Sequence, residues 1–296
     1  MSLIESALDK LRRAEATAAA DSHRAVSASR ASGVTPLVPP PVLAATAVDE
    51  SRPKISIDLQ HVRAAGYLPE QSMERRFADH FRALKRPLIE KAISGTSEMR
   101  LIMVTSALPG DGKTFTSLNL AMSMARERDI SVLLVDADGA RARVSEVMKV
   151  RQQAGLLDAL ADDAVDVESL VARTDVRGLE VLPAGRFIEN STELIASGRM
   201  AQIAVRLTAH DPRRLVLMDS APLLVSSDAR ALMRVAGQVA LVVRAGATPR
   251  RAIQEAVAQV DKKKLQGLIV NQVAESPGGD YYGYAPYEAS AASGSD

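Results

Sequence analysis

Two hydrophobic patterns take turns along the central part of the chain. Continuous apolar runs at Met99–Thr105, Val132–Val135, Leu179–Leu182, Leu215–Met218, Val239–Val243 and Leu268–Val270 read as strands buried on both faces. Between them, Thr114–Arg128, Thr192–Ala209, Asp228–Val235 and Arg250–Val260 carry apolar residues at helical spacing. An earlier amphipathic helix over about 70–90 is marked by Met73, Phe77, Phe81, Leu84 and Leu88, and Pro87 is expected to interrupt it. Strands that are apolar throughout and that alternate with helices predict an α/β fold. Its sheet is mostly parallel and covered by helices on both faces. This compact domain is placed at residues 54–273.

The flanks read differently. In residues 1–19, Ser2 and Glu5 fit a capping box, and Leu3, Ile4, Ala7, Leu8 and Leu11 fall on one face of a short amphipathic helix. A helix this short is marginal in water, so it is expected to dock on its own domain or on another protein. Residues 20–53 are Ala, Ser, Pro and Val with few large apolar groups, the composition of a flexible linker. Residues 274–296 lack periodicity and are expected to be disordered. Four of the five tyrosines sit there, as Tyr281, Tyr282, Tyr284 and Tyr287.

Composition narrows the chemistry. With 37 basic against 36 acidic residues the net charge is +1, which advertises no nucleic-acid partner. Cysteine is absent, which excludes disulfides, thiolate metal sites and a cysteine nucleophile. The histidines His23, His61, His80 and His210 lack ligand spacing, so a zinc site is not expected. No run approaches the ~20 apolar residues of a membrane span, and acids interrupt the opening segment, unlike a signal peptide. The expected location is cytoplasmic, with membrane contact only through a partner.

After the first long strand comes Ala107-Leu-Pro-Gly110-Asp111-Gly112-Lys113-Thr114 and then a helix, the context of a Walker A loop. Gly110 and Gly112 let the backbone wrap phosphate oxygens, and the helix start adds its dipole. Lys113 can neutralise the β- and γ-phosphates, and Thr114 can reach Mg²⁺. Ala107 stands where the consensus has glycine, so the loop entry is expected to avoid the left-handed region. Two more strands end in acids, at Asp136-Ala-Asp138 and at Asp219, the second a Walker B pattern. In a parallel sheet the carboxyl ends of strands line the ligand crevice, which places these acids beside the loop. Mg²⁺ takes one or two carboxylates plus water, leaving another free for proton abstraction.

The loop Ser106–Thr114, the Asp136-Ala-Asp138 and Asp219 strands and the tyrosine-rich tail together resemble the bacterial tyrosine kinases, or BY-kinases. The opening Met1-Ser-Leu-Ile-Glu, and Pro183-Ala-Gly185 followed by Thr192-Glu-Leu, resemble the exosortase-associated autokinases of exopolysaccharide synthesis. The resemblance implies a P-loop NTPase-type fold that uses ATP and Mg²⁺. It implies catalytic roles for Lys113, Asp136, Asp138 and Asp219, with Asp136 the base and Thr114, Asp138 and Asp219 organising the metal. Gly110, Asp111, Gly112, Lys113, Thr114, Phe115 and Asn271 would surround the nucleotide. The tail tyrosines would accept phosphate, between subunits. Asp79-x-x-Arg82-x-x-Lys85 matches the family's Glu-x-x-Arg-x-x-Arg assembly helix with two conservative replacements, which implies a homo-oligomer weakened at the Lys. A separate membrane protein that regulates polysaccharide chain length is the implied partner. The competing readings are an ATPase switch of the partition or septum-placement type and a scaffold without catalysis. The first normally carries a lysine where this chain has Leu108.

Overall fold

The computed structural model describes residues 52–273. The amphipathic segment, all but the end of the linker and the tyrosine-rich tail lie outside the described residues.

Eight strands form one sheet in the order β1-β4-β5-β3-β6-β2-β7-β8. They are β1 (Lys54–Ile55), β2 (Leu101–Ser106), β3 (Ser131–Ala137), β4 (Ala172–Thr174), β5 (Leu179–Leu182), β6 (Arg214–Ser220), β7 (Gln238–Arg244) and β8 (Leu265–Asn271). Neighbours are parallel except β4 and β5. The central strands separate two cores by simple alternation. Met103, Leu133, Val135, Val216, Met218 and Leu241 face one side. Ile102, Val104, Leu134, Leu217 and Val242 face the other.

The second face is covered by α1 (Leu59–Ala64), α2 (Glu74–Ser94), α3 (Lys113–Met124) and α4 (Arg143–Val147). The first is covered by α5 (Leu156–Ala161), α6 (Ser191–Ala196), α7 (Gly198–Ala209), α8 (Ser227–Val235) and α9 (Arg250–Gln259). None of the helices in the described residues is long and apolar enough to cross a membrane.

Three expectations need correction. The run Leu268–Val270, read as buried on both faces, lies in the edge strand β8, where Leu268 and Val270 are 45% and 55% exposed. Helix α2 runs through Pro87 without a break. The ring costs ~3 kcal/mol in a helix interior. Phe81 before it and Leu88 and Ala92 after it are buried in the same core, and that packing holds both halves in line. The segment read as one helix over Thr192–Ala209 is two, because Ser197 is extended at φ −74°, ψ 164°. Its hydroxyl donates back to the Leu194 carbonyl at 2.6 Å, a local alternative to the helix ladder. The edge strands β1 and β4 and the short helices α1, α4 and α5 were not legible. Each is too short to show a period and is held by tertiary contacts. Helix α5, for instance, starts where the Leu156 and Leu157 amides donate to Pro183 and Ala184 carbonyls at 2.9 Å.

At the entry of β6 a charged group is fully enclosed. Arg214 is 1% exposed. It donates to Glu168 at 2.6 Å and to Glu180 at 2.8 Å. Glu180 also pairs with Arg52 at 2.9 Å, which ties the beginning of the described chain to the sheet.

Candidate active site

The carboxyl ends of β2, β3 and β6 are adjacent, since β6 lies between β2 and β3. Residues 107–112 follow β2 and lead into α3. Gly110 and Gly112 have φ of +89° and +96°, the left-handed region open to glycine. Ala107 is not among the described non-glycine residues with positive φ, and it is buried in the core. Leu108 packs against the core on the α5–α9 side.

The loop is held by side chains. Asp111 accepts the Leu108 amide at 2.9 Å and the Thr248 hydroxyl at 2.7 Å. Asn271, at the end of β8, donates its Nδ2 to the Asp111 carbonyl at 3.0 Å. In this arrangement both side chains brace the loop. A Cβ at Gly112 would come within 1.9 Å of that Asn271 nitrogen. Gly112→Ala is therefore expected to weaken nucleotide binding by about tenfold or more, through ~1–2 kcal/mol of backbone strain plus the displaced amide. Calorimetric titration with Mg-ATP checks it, and an affinity within twofold of wild type would contradict it.

The acids cluster as strand register dictates. Asp136 and Asp219 are direct partners on adjacent parallel strands, which sets their backbones about 4.8 Å apart. Asp219 accepts the Thr114 hydroxyl at 2.8 Å and the Ser117 hydroxyl at 2.9 Å. Asp138 pairs with the Lys113 Nζ at 2.9 Å. Asp136 accepts the Ser145 amide and hydroxyl, each at 2.7 Å. All three acids are buried. Burial, followed by the charge of Asp219, pushes Asp136 up to about 7 against the Ser145 hydrogen bonds. Asp219 is raised as well, because burial outweighs Lys113 and its two hydroxyl donors. Burial alone would lower Lys113, but the three acids together raise it and keep it charged.

The donor set suits a hard divalent cation. Among the described residues no group of three or more His, Cys, Asp or Glu side chains is arranged as a metal cage. Mg²⁺ does not require one, since it keeps several waters and takes one or two carboxylates plus phosphate oxygens. Thr114, Asp138 and Asp219 supply oxygen donors only, beside the loop.

Other expected residues fall elsewhere. The Phe115 side chain turns away from the loop and packs against Phe77 and Phe81, with ring centroids 5.9 and 6.4 Å apart. Only its backbone is left to face phosphate. Asp79 and Arg82 pair at 2.6 Å on the exposed face of α2. Lys85, expected to share an interface with them, instead points inward. It is 6% exposed and holds the Ser123 carbonyl and Glu127, each at 2.6 Å. A flexible lysine reaches a carbonyl within its own chain, and burying the long stem rewards that choice. Tyr281, Tyr282, Tyr284 and Tyr287 lie outside the described residues.

Three side chains at the site escaped sequence reading. Ser117 lies three residues after Thr114, one turn along α3, and that spacing was the available signal. Ser145 and Thr248 lie 9 and 137 residues from the acids they meet, and no local pattern marks either.

Comparison with known proteins agrees with this geometry. A family model described as an AAA domain matches residues 99–270. Tyrosine-protein kinase YwqD of Bacillus subtilis is 34% identical over 178 residues, which cover 59% of this chain and 73% of that one. Tyrosine-protein kinase wzc of Salmonella typhimurium is 29% identical over 196 residues, 65% of this chain. That match spans only 27% of the longer relative. The solved kinase domain of Escherichia coli tyrosine kinase ETK superposes with a TM-score of 0.60 at 29% identity, covering 69% of this chain and 79% of that domain. A nucleotide-binding P-loop fold with an AAA-domain match and these relatives leads to one assignment: the chain belongs to the bacterial tyrosine-protein kinase family.

Proposed function

We propose that the chain is an ATP-dependent tyrosine autokinase whose acceptors are Tyr281, Tyr282, Tyr284 and Tyr287 in its own tail. The observation that carries this reading is the convergence of Lys113, Thr114 and three strand-end carboxylates at one loop, with Lys113 Nζ 2.9 Å from Asp138 and Thr114 Oγ1 2.8 Å from Asp219. Phosphoryl transfer asks mainly for positioning and charge stabilisation, which this cluster supplies.

In the proposed reaction the acceptor phenolic oxygen bonds the γ-phosphorus of ATP. The bond from that phosphorus to the β–γ bridging oxygen breaks, ADP leaves, and the phenol proton passes to the Asp136 carboxylate. The loop amides and Lys113 hold the phosphates. Lys113 exchanges its Asp138 partner for phosphate oxygens, which releases Asp138 toward the site. Thr114, Asp138 and Asp219 would hold Mg²⁺, directly or through water, and the bound cation would supply charge stabilisation for the transferring phosphoryl group.

Domain organisation follows from the same reading. An N-terminal amphipathic segment and a linker precede the kinase domain, and the tail follows it. A tethered tail supplies tyrosine at high local concentration, and a neighbour's tail serves as well as the chain's own. A homo-oligomer built partly on Asp79 and Arg82 would bring neighbours together. The resemblance to exopolysaccharide autokinases extends the proposal to a cytoplasmic enzyme held at the inner membrane by a separate chain-length regulator.

The test is mass spectrometry of the full chain after incubation with Mg-ATP, beside an Asp136→Asn variant. Phosphate on the tail tyrosines of the wild type, and its near absence in the variant, is the expected result. ATP hydrolysis without tail phosphate would overturn the autokinase reading in favour of a nucleotide switch.

A further inference from the structure

The geometry points to Ser145 as the residue that positions Asp136, selecting which of its two carboxylate oxygens receives the acceptor proton. This inference rests on the assignment of Asp136 as base.

Ser145 is fully buried in α4, nine residues beyond Asp136. The chain between them doubles back, because the Asp138 carbonyl accepts the Arg141 amide at 3.0 Å and the Ala142 amide at 2.5 Å. Ala142 completes that turn at φ +44°, a left-handed conformation uncommon for alanine. The result is a double contact on a single oxygen. The Ser145 amide and hydroxyl both reach Asp136 Oδ2, each at 2.7 Å.

The direction of the hydroxyl is set as well. The Ala184 amide donates to Ser145 Oγ at 2.9 Å. Ser145 therefore accepts on one side and gives its single proton to Asp136 on the other. Asp136 Oδ2 is thereby committed to two donors. Its Oδ1 keeps only a long 3.4 Å contact with the Asp138 amide. Oδ1 is the oxygen left to take the phenol proton: the phenolic O–H bond breaks as the O–H bond on Oδ1 forms.

The support extends one step further. Ala184 lies in the turn Pro183–Gly185, which is fastened to the start of α5 by backbone hydrogen bonds from Leu156 and Leu157. Asp158 closes the same turn, accepting the Gly155 amide at 2.9 Å and the Arg186 amide at 3.1 Å. The turn thus orients Ser145, and Ser145 orients Asp136. Ser145 touches no reacting atom in this scheme and is a positioning residue.

The test compares wild type, Ser145→Ala, Ser145→Thr and Asp136→Asn as full chains. Tail-tyrosine phosphorylation rates, KM for ATP and thermal unfolding are measured for each. For Ser145→Ala, kcat is expected to fall about 10- to 100-fold while KM for ATP stays within twofold. Ser145→Thr, which keeps the hydroxyl, is expected to recover most of the loss. If Ser145→Ala fails to fold, Ser145→Cys takes its place, since a thiol fills the site but donates weakly; a lowered kcat at unchanged KM is again expected. Wild-type turnover in Ser145→Ala, with Asp136→Asn inactive, would overturn the role of Ser145 alone. So would a loss that Thr does not repair. Full activity in Asp136→Asn would instead overturn the assignment of the base.

Discussion

Replacing Lys113 with methionine is expected to lower tail phosphorylation by about a hundred- to a thousandfold, the loss seen when a positioned charge-stabilising group is removed from a transition state. Lys113 pairs with Asp138 at 2.9 Å, and Asp219, Asp138 and Asp136 all act to keep it protonated. The same charge that holds those acids together is the charge available to the transferring phosphoryl group. Methionine keeps the stem volume and removes only the ammonium, so the comparison isolates charge from packing. Lys113→Arg is expected to recover little, because a planar guanidinium does not replace a compact ammonium inside a tight loop. Single-turnover transfer from labelled ATP to the tail is the measurement, with unfolding midpoints recorded alongside. A Lys113→Met protein that phosphorylates within tenfold of wild type would remove Lys113 from the mechanism.

Arg214→Leu is expected to be the most destabilising single change outside the site. It would leave Glu168 and Glu180 without the guanidinium they share at 2.6 and 2.8 Å. Breaking a buried pair by removing one partner costs about 3–5 kcal/mol, because a charge stays buried and uncompensated. In a domain of this size that corresponds to a midpoint lowered by roughly 6–20 °C. Adding Glu168→Leu to the variant is expected to restore part of the loss, since the penalty lies in the stranded carboxylate and not in the absence of a salt bridge. Thermal unfolding of the two variants decides the point. A drop of only a degree or two in Arg214→Leu would mean that the network is solvated and contributes little.

Several parts of the molecule were legible because their signal is local. The runs at Val132–Val135, Leu215–Met218 and Val239–Val243 lie within β3, β6 and β7, since strands buried on both faces must be apolar at every position. The Gly110-Asp-Gly112-Lys113-Thr114 loop was readable because its backbone needs glycine at positive φ, and both glycines have it. Asp136, Asp138 and Asp219 stood out because an acid that closes an apolar strand is conspicuous in any parallel-sheet sequence.

Other parts were decided by contacts that no window of sequence contains. Pro87 would end a solitary helix, yet Phe81, Leu88 and Ala92 anchor both halves of α2 to one core. Lys85 reads as a surface charge, and only the proximity of the Ser123 carbonyl and Glu127 turns it inward. Asn271 and Asp111 read as nucleotide contacts, and the fold also brings them together, 160 residues apart, to brace the loop.

The sequence by itself determined the sheet class, the phosphate loop and the three acids at strand ends, because periodicity and backbone conformation act over a few residues. Only the tertiary structure decided how those acids are held. Lys113 on Asp138, Ser145 on Asp136, and Thr114 and Ser117 on Asp219 are partnerships across strands and turns. They exist because strand order and register set Asp136 against Asp219, and the surrounding donors meet the polar demand that burial creates.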